Sequence, residues 1–135
     1  MVKVIFEDNM IVVVEKRAGL LTQSDHTGEI DLLTEVKQYI KTKYKKQGNV
    51  FIGLVHRLDR NVGGVMVFAR NSKSAARLSE DIRARRFKKI YLCVVEGDIN
   101  EDTGVLTNYL LKDHKTNTVR VFDKEIDGAK FAKLG

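Results

Sequence analysis

The stretch that most constrains the fold lies between residues 50 and 69, where a charged segment separates two apolar runs. Residues 50–55 and 62–69 have the composition of β-strands, and the sequence HRLDR falls between them. Charged side chains are costly inside a sheet, so we expect two strands joined by a polar connection. Gly63-Gly64, at the start of the second run, predicts a bulge or a close approach of another backbone segment or a ligand.

The rest of the pattern predicts about seven strands and two helices. Helical spacing of apolar residues begins after Asp31 and again after Asn71 or Ser72, which are suitable N-cap residues. Further strand-like runs cover residues 2–6, 10–15, 89–97, 104–111, 118–122 and 131–134. The run at 89–97 alternates most regularly and is the clearest predicted strand. We therefore expect an α+β fold, with a mostly antiparallel mixed sheet and flanking helices.

The charge balance favours a polyanionic partner. Lys and Arg outnumber Asp and Glu by 24 to 18, and the pI near 9.5 exceeds the value of about 9 above which nucleic-acid binding becomes a reasonable hypothesis. Basic residues concentrate at 41–46 and 83–89. A solvated helix end explains the first cluster equally well. The second favours phosphate contact, because five of its seven residues are cations: Arg83, Arg85, Arg86, Lys88 and Lys89.

Several function classes lack their sequence signals. Uninterrupted apolar runs such as residues 10–14 are far shorter than the roughly 20 residues that cross a membrane. Charge enters too early in the chain for a signal-peptide core. Cys93 is the single cysteine, so an internal disulfide is excluded and a reducing compartment is favoured. We expect a cytoplasmic protein that does not bind membranes.

The histidines have no metal-binding spacing: His26, His56 and His114 form no recognisable ligand motif, so we expect no bound metal. A metal hydrolase built on His56 and Asp59 is an open alternative, although it needs ligands from distant loops. No nucleophile elbow is present, and Gly63-Gly64 opens a strand rather than the helix that a phosphate-binding loop requires.

Asp59 is the remaining candidate for catalysis. Arg57 and Arg60 flank it in the sequence, and nearby positive charge favours the ionised carboxylate, which can act as a nucleophile or a base. An ion pair at a strand end explains the same spacing at least as well. On spacing alone both interpretations stay open.

Three segments together resemble a known family. Residues 53–71, GLVHRLDRNVGGVMVFARN, resemble the His-Arg-Leu-Asp signature of the RluA-type pseudouridine synthases. Residues 5–21, IFEDNMIVVVEKRAGLL, resemble the family's opening strand pair, and residues 87–97, FKKIYLCVVEG, resemble its later strand with the active-site tyrosine. The three motifs occur in the family's order.

The resemblance implies cofactor-free isomerisation of uridine to pseudouridine in structured RNA, either rRNA or tRNA. Asp59 matches the catalytic aspartate. Tyr91 matches the tyrosine that stacks on the target base and is a candidate acceptor of its C5 proton, although spacing alone favours a core position for this ring. Arg57 matches an arginine used near the flipped nucleotide, with Arg60 beside it, and the 83–89 cluster is expected to contact phosphates. His56 and Leu58 match positions of mainly structural weight.

The chain departs from the family pattern at several points. Val62-Gly63-Gly64 replaces Thr-Ser-Gly after the aspartate, and Arg17 replaces a proline, which loosens the entry to a loop. No Arg-x-His-Gln-type motif follows. The resemblance thus implies an incomplete pseudouridine synthase fold, with residues 1–135 as the N-terminal part of one catalytic domain and no S4-type domain. The alternative function is an RNA-binding fragment or homologue that keeps the fold with impaired catalysis.

Overall fold

The apolar run at residues 10–15 forms one of the two central strands of the first sheet. In the computed structural model, which describes residues 2–135, the first of two compact units ends at Ile90. Its elements in chain order are β1 (Lys3–Glu7), β2 (Ile11–Lys16), α1 (Leu32–Lys43), β3 (Gly53–Leu54), β4 (Gly64–Ala69) and α2 (Ser72–Arg83). The strands form an antiparallel sheet in the order β1-β2-β4-β3.

Alternation in the central strands places one apolar face against helix α1. The buried core residues of β2, β4 and α1 are Val12, Val14, Met66, Phe68, Leu32, Val36 and Ile40. Lys16 continues the same alternation at the end of β2, where it lies opposite Gly64. The pleat therefore directs this lysine to the buried face, and the residue is 0% exposed.

Both helices begin at residues that the sequence singles out as caps. The Asp31 side chain accepts the Thr34 backbone N–H at 3.0 Å, and the Asn71 side chain accepts the Ser74 N–H at 2.8 Å. These bonds satisfy N–H groups that the first helical turn leaves unpaired. Neither helix within residues 2–135 is long and apolar enough to cross a membrane.

The second unit begins at Tyr91 and contains three strands. They are β5 (Leu106–Asp113), β6 (Thr118–Phe122) and β7 (Lys130–Leu134), paired antiparallel in the order β6-β5-β7. Tyr109 of β5 lies opposite Phe131 of β7, and their rings meet edge to face with centroids 5.6 Å apart. The predicted α+β class with mostly antiparallel strands is confirmed, with the strands divided between two sheets.

The strand predicted at residues 89–97 was wrong, because the structure gives this segment no strand. Leu92 and Val94 are fully exposed. Alternation indicates which side chains share a face, but a strand also needs a hydrogen-bonded neighbour. Within residues 2–135, no backbone segment pairs with this one.

The nearly buried carboxylate of Glu7 in β1 forms hydrogen bonds with side chains at the end of α1. It accepts from Tyr39 Oη and Lys43 Nζ, each at 2.8 Å, from Arg70 Nη1 at 3.1 Å, and from the Tyr44 hydroxyl. Burial raises the pKa of Glu7, but the hydrogen bonds from Lys43, Tyr44 and Tyr39 outweigh it and lower that pKa to about 2. The charged form of Glu7 therefore stabilises the fold.

Replacing Glu7 with Gln is expected to lower the free energy of unfolding at neutral pH by about 2–3 kcal/mol. A lowered carboxyl pKa contributes stability above the unfolded value of 4.5, and this contribution disappears as the pH falls towards 2. Urea titrations of both proteins across this range measure the difference. Glu15→Gln, which disrupts the exposed pair with Lys3, is the control. A Glu7→Gln effect that does not change with pH would contradict this account.

Candidate active site

Asp59 lies in the connection between β3 and β4, where the charged residues leave the sheet as expected. Its carbonyl accepts the Val62 N–H at 3.1 Å, which closes a tight turn over residues 59–62. Arg57, Asp59 and Arg60 are all exposed. The turn therefore presents a carboxylate to solvent directly above the buried end of β2.

Lys16 holds this turn from below. Its ammonium donates to three backbone carbonyls, those of Val62 at 2.8 Å, Arg60 at 3.0 Å and Arg17 at 3.2 Å. An ammonium has three N–H donors, so the buried group is fully satisfied. Burial lowers the pKa of Lys16, and the negative charge of Asp59 opposes that shift. The two charges attract each other across the turn.

The segment that follows β2 holds the same connection at two further points. Thr22 Oγ1 donates to the Leu58 carbonyl at 2.7 Å, and the Gly19 N–H donates to the Arg60 carbonyl at 2.8 Å. Thr22 is buried, so water does not compete for its bond. Residues on both sides of Asp59 are thus fixed, as a preorganised site requires.

Arg60 is held within the chain and does not pair with Asp59. Its guanidinium forms a two-bond ion pair with Glu29, at 2.7 and 3.2 Å, and its Nε donates to the Gly19 carbonyl at 3.1 Å. The expectation that Arg57 and Arg60 together flank the carboxylate with charge therefore needs correction, because the cation directly beneath the turn is Lys16. Arg57 takes part in no ion pair with residues 2–135.

The two glycines after the turn have different surroundings. The backbone of residues 16–18 lies beside Gly63, as predicted, but a β-carbon there would make only ordinary contacts, 3.4 Å from the Ala18 nitrogen and from the Lys16 carbonyl oxygen. Gly64 has a φ of +150°, which side-chain-bearing residues rarely adopt. Arg17, at the family's proline position, pairs with Glu35 of α1 at 3.2 Å.

The basic segment after α2 reaches the same connection. The Phe87 ring lies 5.8 Å from the ring of His56, three positions before Asp59. Within the 83–89 cluster, Arg83 pairs with Glu80 and Arg86 pairs with Asp81. The other three cations, Arg85, Lys88 and Lys89, form no ion pairs with residues 2–135. The structure thus brings a cationic surface to the Asp59 connection.

The His56 ring has a structural partner. Its Nε2 accepts the backbone N–H of Val67 in β4 at 3.1 Å. This bond occupies one of the two ring nitrogens through which His56 could bind a metal ion. Among residues 2–135, no three His, Cys, Asp or Glu side chains lie close enough together to bind a metal ion.

Tyr91 is the first residue of the second unit, and 56% of its surface is exposed. The core position that alternation alone allows for this ring is therefore wrong. Its role at the target base stays a prediction.

Comparison with known proteins gives a consistent result over nearly the whole chain. The family model described as RNA pseudouridylate synthase matches residues 10–134. An uncharacterized RNA pseudouridine synthase of Aquifex aeolicus is 32% identical over 92% of this chain and 40% of its own length. The dual-specificity RNA pseudouridine synthase RluA of Vibrio vulnificus is 32% identical over 82% of this chain and 42% of its own.

A solved structure of human RNA pseudouridylate synthase domain containing 4 has a similar fold. It aligns with 97% of this chain and 51% of its own, with a TM-score of 0.66 and 17% identity. The ribosomal large subunit pseudouridine synthase D of Borreliella burgdorferi is 27% identical over 83% of this chain and 35% of its own length. The chain thus spans less than half the length of these curated relatives.

Proposed function

Because the chain belongs to the RNA pseudouridylate synthase family, we propose that it converts uridine to pseudouridine in structured RNA, either rRNA or tRNA, with Asp59 as the nucleophile. The observation that carries this proposal is the turn at Asp59, which presents an exposed carboxylate on a backbone anchored by Lys16 and Thr22. A nucleophile needs this combination of access and fixed position. A cytoplasmic location stays a prediction from the sequence.

The reaction consumes no co-reactant, because uridine and pseudouridine contain the same atoms, and we assign it to the side chains of this chain without a cofactor. The bond between C1′ of the ribose and N1 of uracil breaks, the base turns, and a bond forms between C1′ and C5. The C5 proton leaves and N1 gains a proton. We assign the attack on C1′ or on C6, or assistance to glycal formation, to Asp59, and we assign base stacking and acceptance of the C5 proton to Tyr91.

RNA contact is assigned to the cationic surface beside the turn. A uridine stacked in a helix is inaccessible, so it must be flipped out before Asp59 can reach it. Arg57 is exposed two positions before the carboxylate and has no ion-pair partner among residues 2–135, so it is free to contact the flipped nucleotide. The 83–89 cluster supplies phosphate contacts, which set position rather than sequence.

Replacing Lys88 and Lys89 together with Gln is expected to weaken RNA binding and to reduce the slope of log K against log salt. Each lost phosphate contact reduces that slope by a little less than one unit, so we expect a change of about 1–2 units. Filter-binding titrations over a range of salt concentrations measure it.

The matched control is Lys45→Gln with Lys46→Gln, which removes the same charge beyond the end of α1. Lys45 and Lys46 come directly after Lys43 and Tyr44, which contact Glu7 at one end of the β1–β2 pair. The Asp59 turn is held by Lys16 at the other end of β2. Equal loss of slope in both double variants would contradict the assignment of phosphate contacts to the 83–89 cluster.

The proposed function is tested by incubating the protein with rRNA and tRNA transcripts, digesting them to nucleosides and separating these by chromatography. We expect uridine to be lost and pseudouridine of the same mass to appear. RNA binding without pseudouridine would instead favour the RNA-binding homologue. That alternative is supported by Val62 and Gly63, which replace the Thr and Ser of the family pattern and bring no hydroxyl to the turn.

A further inference from the structure

The connection that carries Asp59 begins with an unusual contact at the sheet edge. β3 pairs with β4 only through Gly53 and Leu54, after which the chain leaves the sheet. Among residues 2–135, the next stretch of β4 has no backbone partner on this side. The His56 side chain replaces one, because its Nε2 accepts the Val67 N–H at 3.1 Å.

This bond requires one particular form of the imidazole. Nε2 accepts a hydrogen bond only when it carries no proton, so the proton of the neutral ring is on Nδ1. Burial lowers the pKa of His56, and the charge of Lys89 lowers it further. Phe87 lies against the ring and adds apolar surroundings. The basic segment that approaches the connection therefore also helps to keep His56 in its accepting form.

We propose that His56 is a positioning residue for Asp59, an inference that rests on the proposed function. Neutral His56 anchors the start of the connection to β4, and the bonds of Thr22 to Leu58 and of Lys16 to Arg60 hold the residues on either side of Asp59. Arg57 and Asp59 lie along the stretch that these three bonds span. Without the His56 bond, the connection is held by Lys16 and Thr22 but can shift relative to β4, which changes the direction of the Asp59 carboxylate.

Loss of the His56 anchor should affect the chemical step more than RNA binding. The phosphate contacts assigned to Lys88 and Lys89 do not depend on the direction of the Asp59 carboxylate. Misplacement of a reacting group by about 1 Å costs on the order of 10²-fold in rate. A side chain that served only stability would leave the rate of the folded protein unchanged.

The test compares His56→Leu, which cannot accept a hydrogen bond, with His56→Gln, whose amide oxygen can. Single-turnover rates at saturating enzyme should fall by roughly 10–100-fold in His56→Leu, and most of that loss should be recovered in His56→Gln. The dissociation constant for RNA should stay within about twofold in both variants. His114→Leu, a replacement of an exposed histidine in the second unit, is the control.

A second measurement needs no substrate and covers a variant that folds poorly. Long-range ¹H–¹⁵N spectra of the wild-type protein should show His56 protonated on Nδ1 and unprotonated on Nε2 at neutral pH. The Val67 amide should exchange with solvent faster in His56→Leu than in His56→Gln, at temperatures where both remain folded.

These measurements distinguish a failure of the positioning role of His56 from a failure of the proposed function. If the wild-type protein converts uridine and folded His56→Leu does so at the same rate, the positioning role is overturned while the proposed function stands. A proton on Nε2 of the wild-type ring also overturns it. If the wild-type protein binds RNA but converts no uridine, the proposed function fails, and this inference fails with it.

Discussion

Replacement of Asp59 by Asn is expected to lower the single-turnover rate of pseudouridine formation by roughly 10³-fold or more. The amide has nearly the shape of the carboxylate but lacks its charge and nucleophilicity, and the turn is held by backbone atoms that the substitution leaves in place. The dissociation constant for RNA should therefore change little. Rapid-quench assays at saturating enzyme, with parallel binding titrations, measure both quantities.

Asp102→Asn provides the matched control, because Asp102 is exposed in the second unit and its replacement removes the same charge. We expect its rate to equal that of the wild-type protein. Pseudouridine formation by Asp59→Asn at a rate within tenfold of the wild-type rate would remove Asp59 from the role of nucleophile.

Replacement of Lys16 by Met is expected to lower the free energy of unfolding by about 2–4 kcal/mol and the single-turnover rate by roughly 10²-fold. Met fills much of the same space but donates no hydrogen bonds, so three carbonyls lose their shared partner, two of them in or beside the Asp59 turn. Urea titration gives the stability, and the rate is measured where both proteins are fully folded.

Lys3→Met is the control for Lys16→Met. Lys3 lies on β1, its side chain is 74% exposed, and its pair with Glu15 is a surface ion pair that contributes about 0–1 kcal/mol. If Lys16→Met were no more destabilising than Lys3→Met, the buried ammonium would not hold the turn. If Lys16→Met unfolds more easily but keeps the full rate, Lys16 is structural only.

The sequence predicts well those helices and strands whose formation depends on residues adjacent in the chain. Asp31 and Asn71 start helices because their side chains satisfy nearby N–H groups, an interaction that depends on adjacent residues alone. The strand pair at the start of the chain has a tight polar turn between two β-rich runs. Residues 89–97 show the opposite case, because strand formation there depends on a distant partner that alternation cannot identify.

The candidate site likewise has one part that a local motif predicts and another part that comes from distant residues. Asp59 could be found because a contiguous motif carries it, but its surroundings come from residues about 40 positions away, such as Lys16 and Thr22. Alternation along β2 did contain a signal for Lys16, since it places this lysine on the same face as Val12 and Val14. Nothing local shows that Arg60 pairs with Glu29, because that contact forms only when two loops meet.

A uridine-isomerising site at Asp59 is tested most directly with RNA labelled with tritium at C5 of uracil, because joining C5 to C1′ must release that hydrogen to water. The wild-type protein is expected to release tritium in step with pseudouridine formation, and Asp59→Asn to release almost none while still binding the RNA. If the RNA keeps its tritium while bound by the wild-type protein, or if both proteins release tritium equally, Asp59 is not the site of uridine isomerisation.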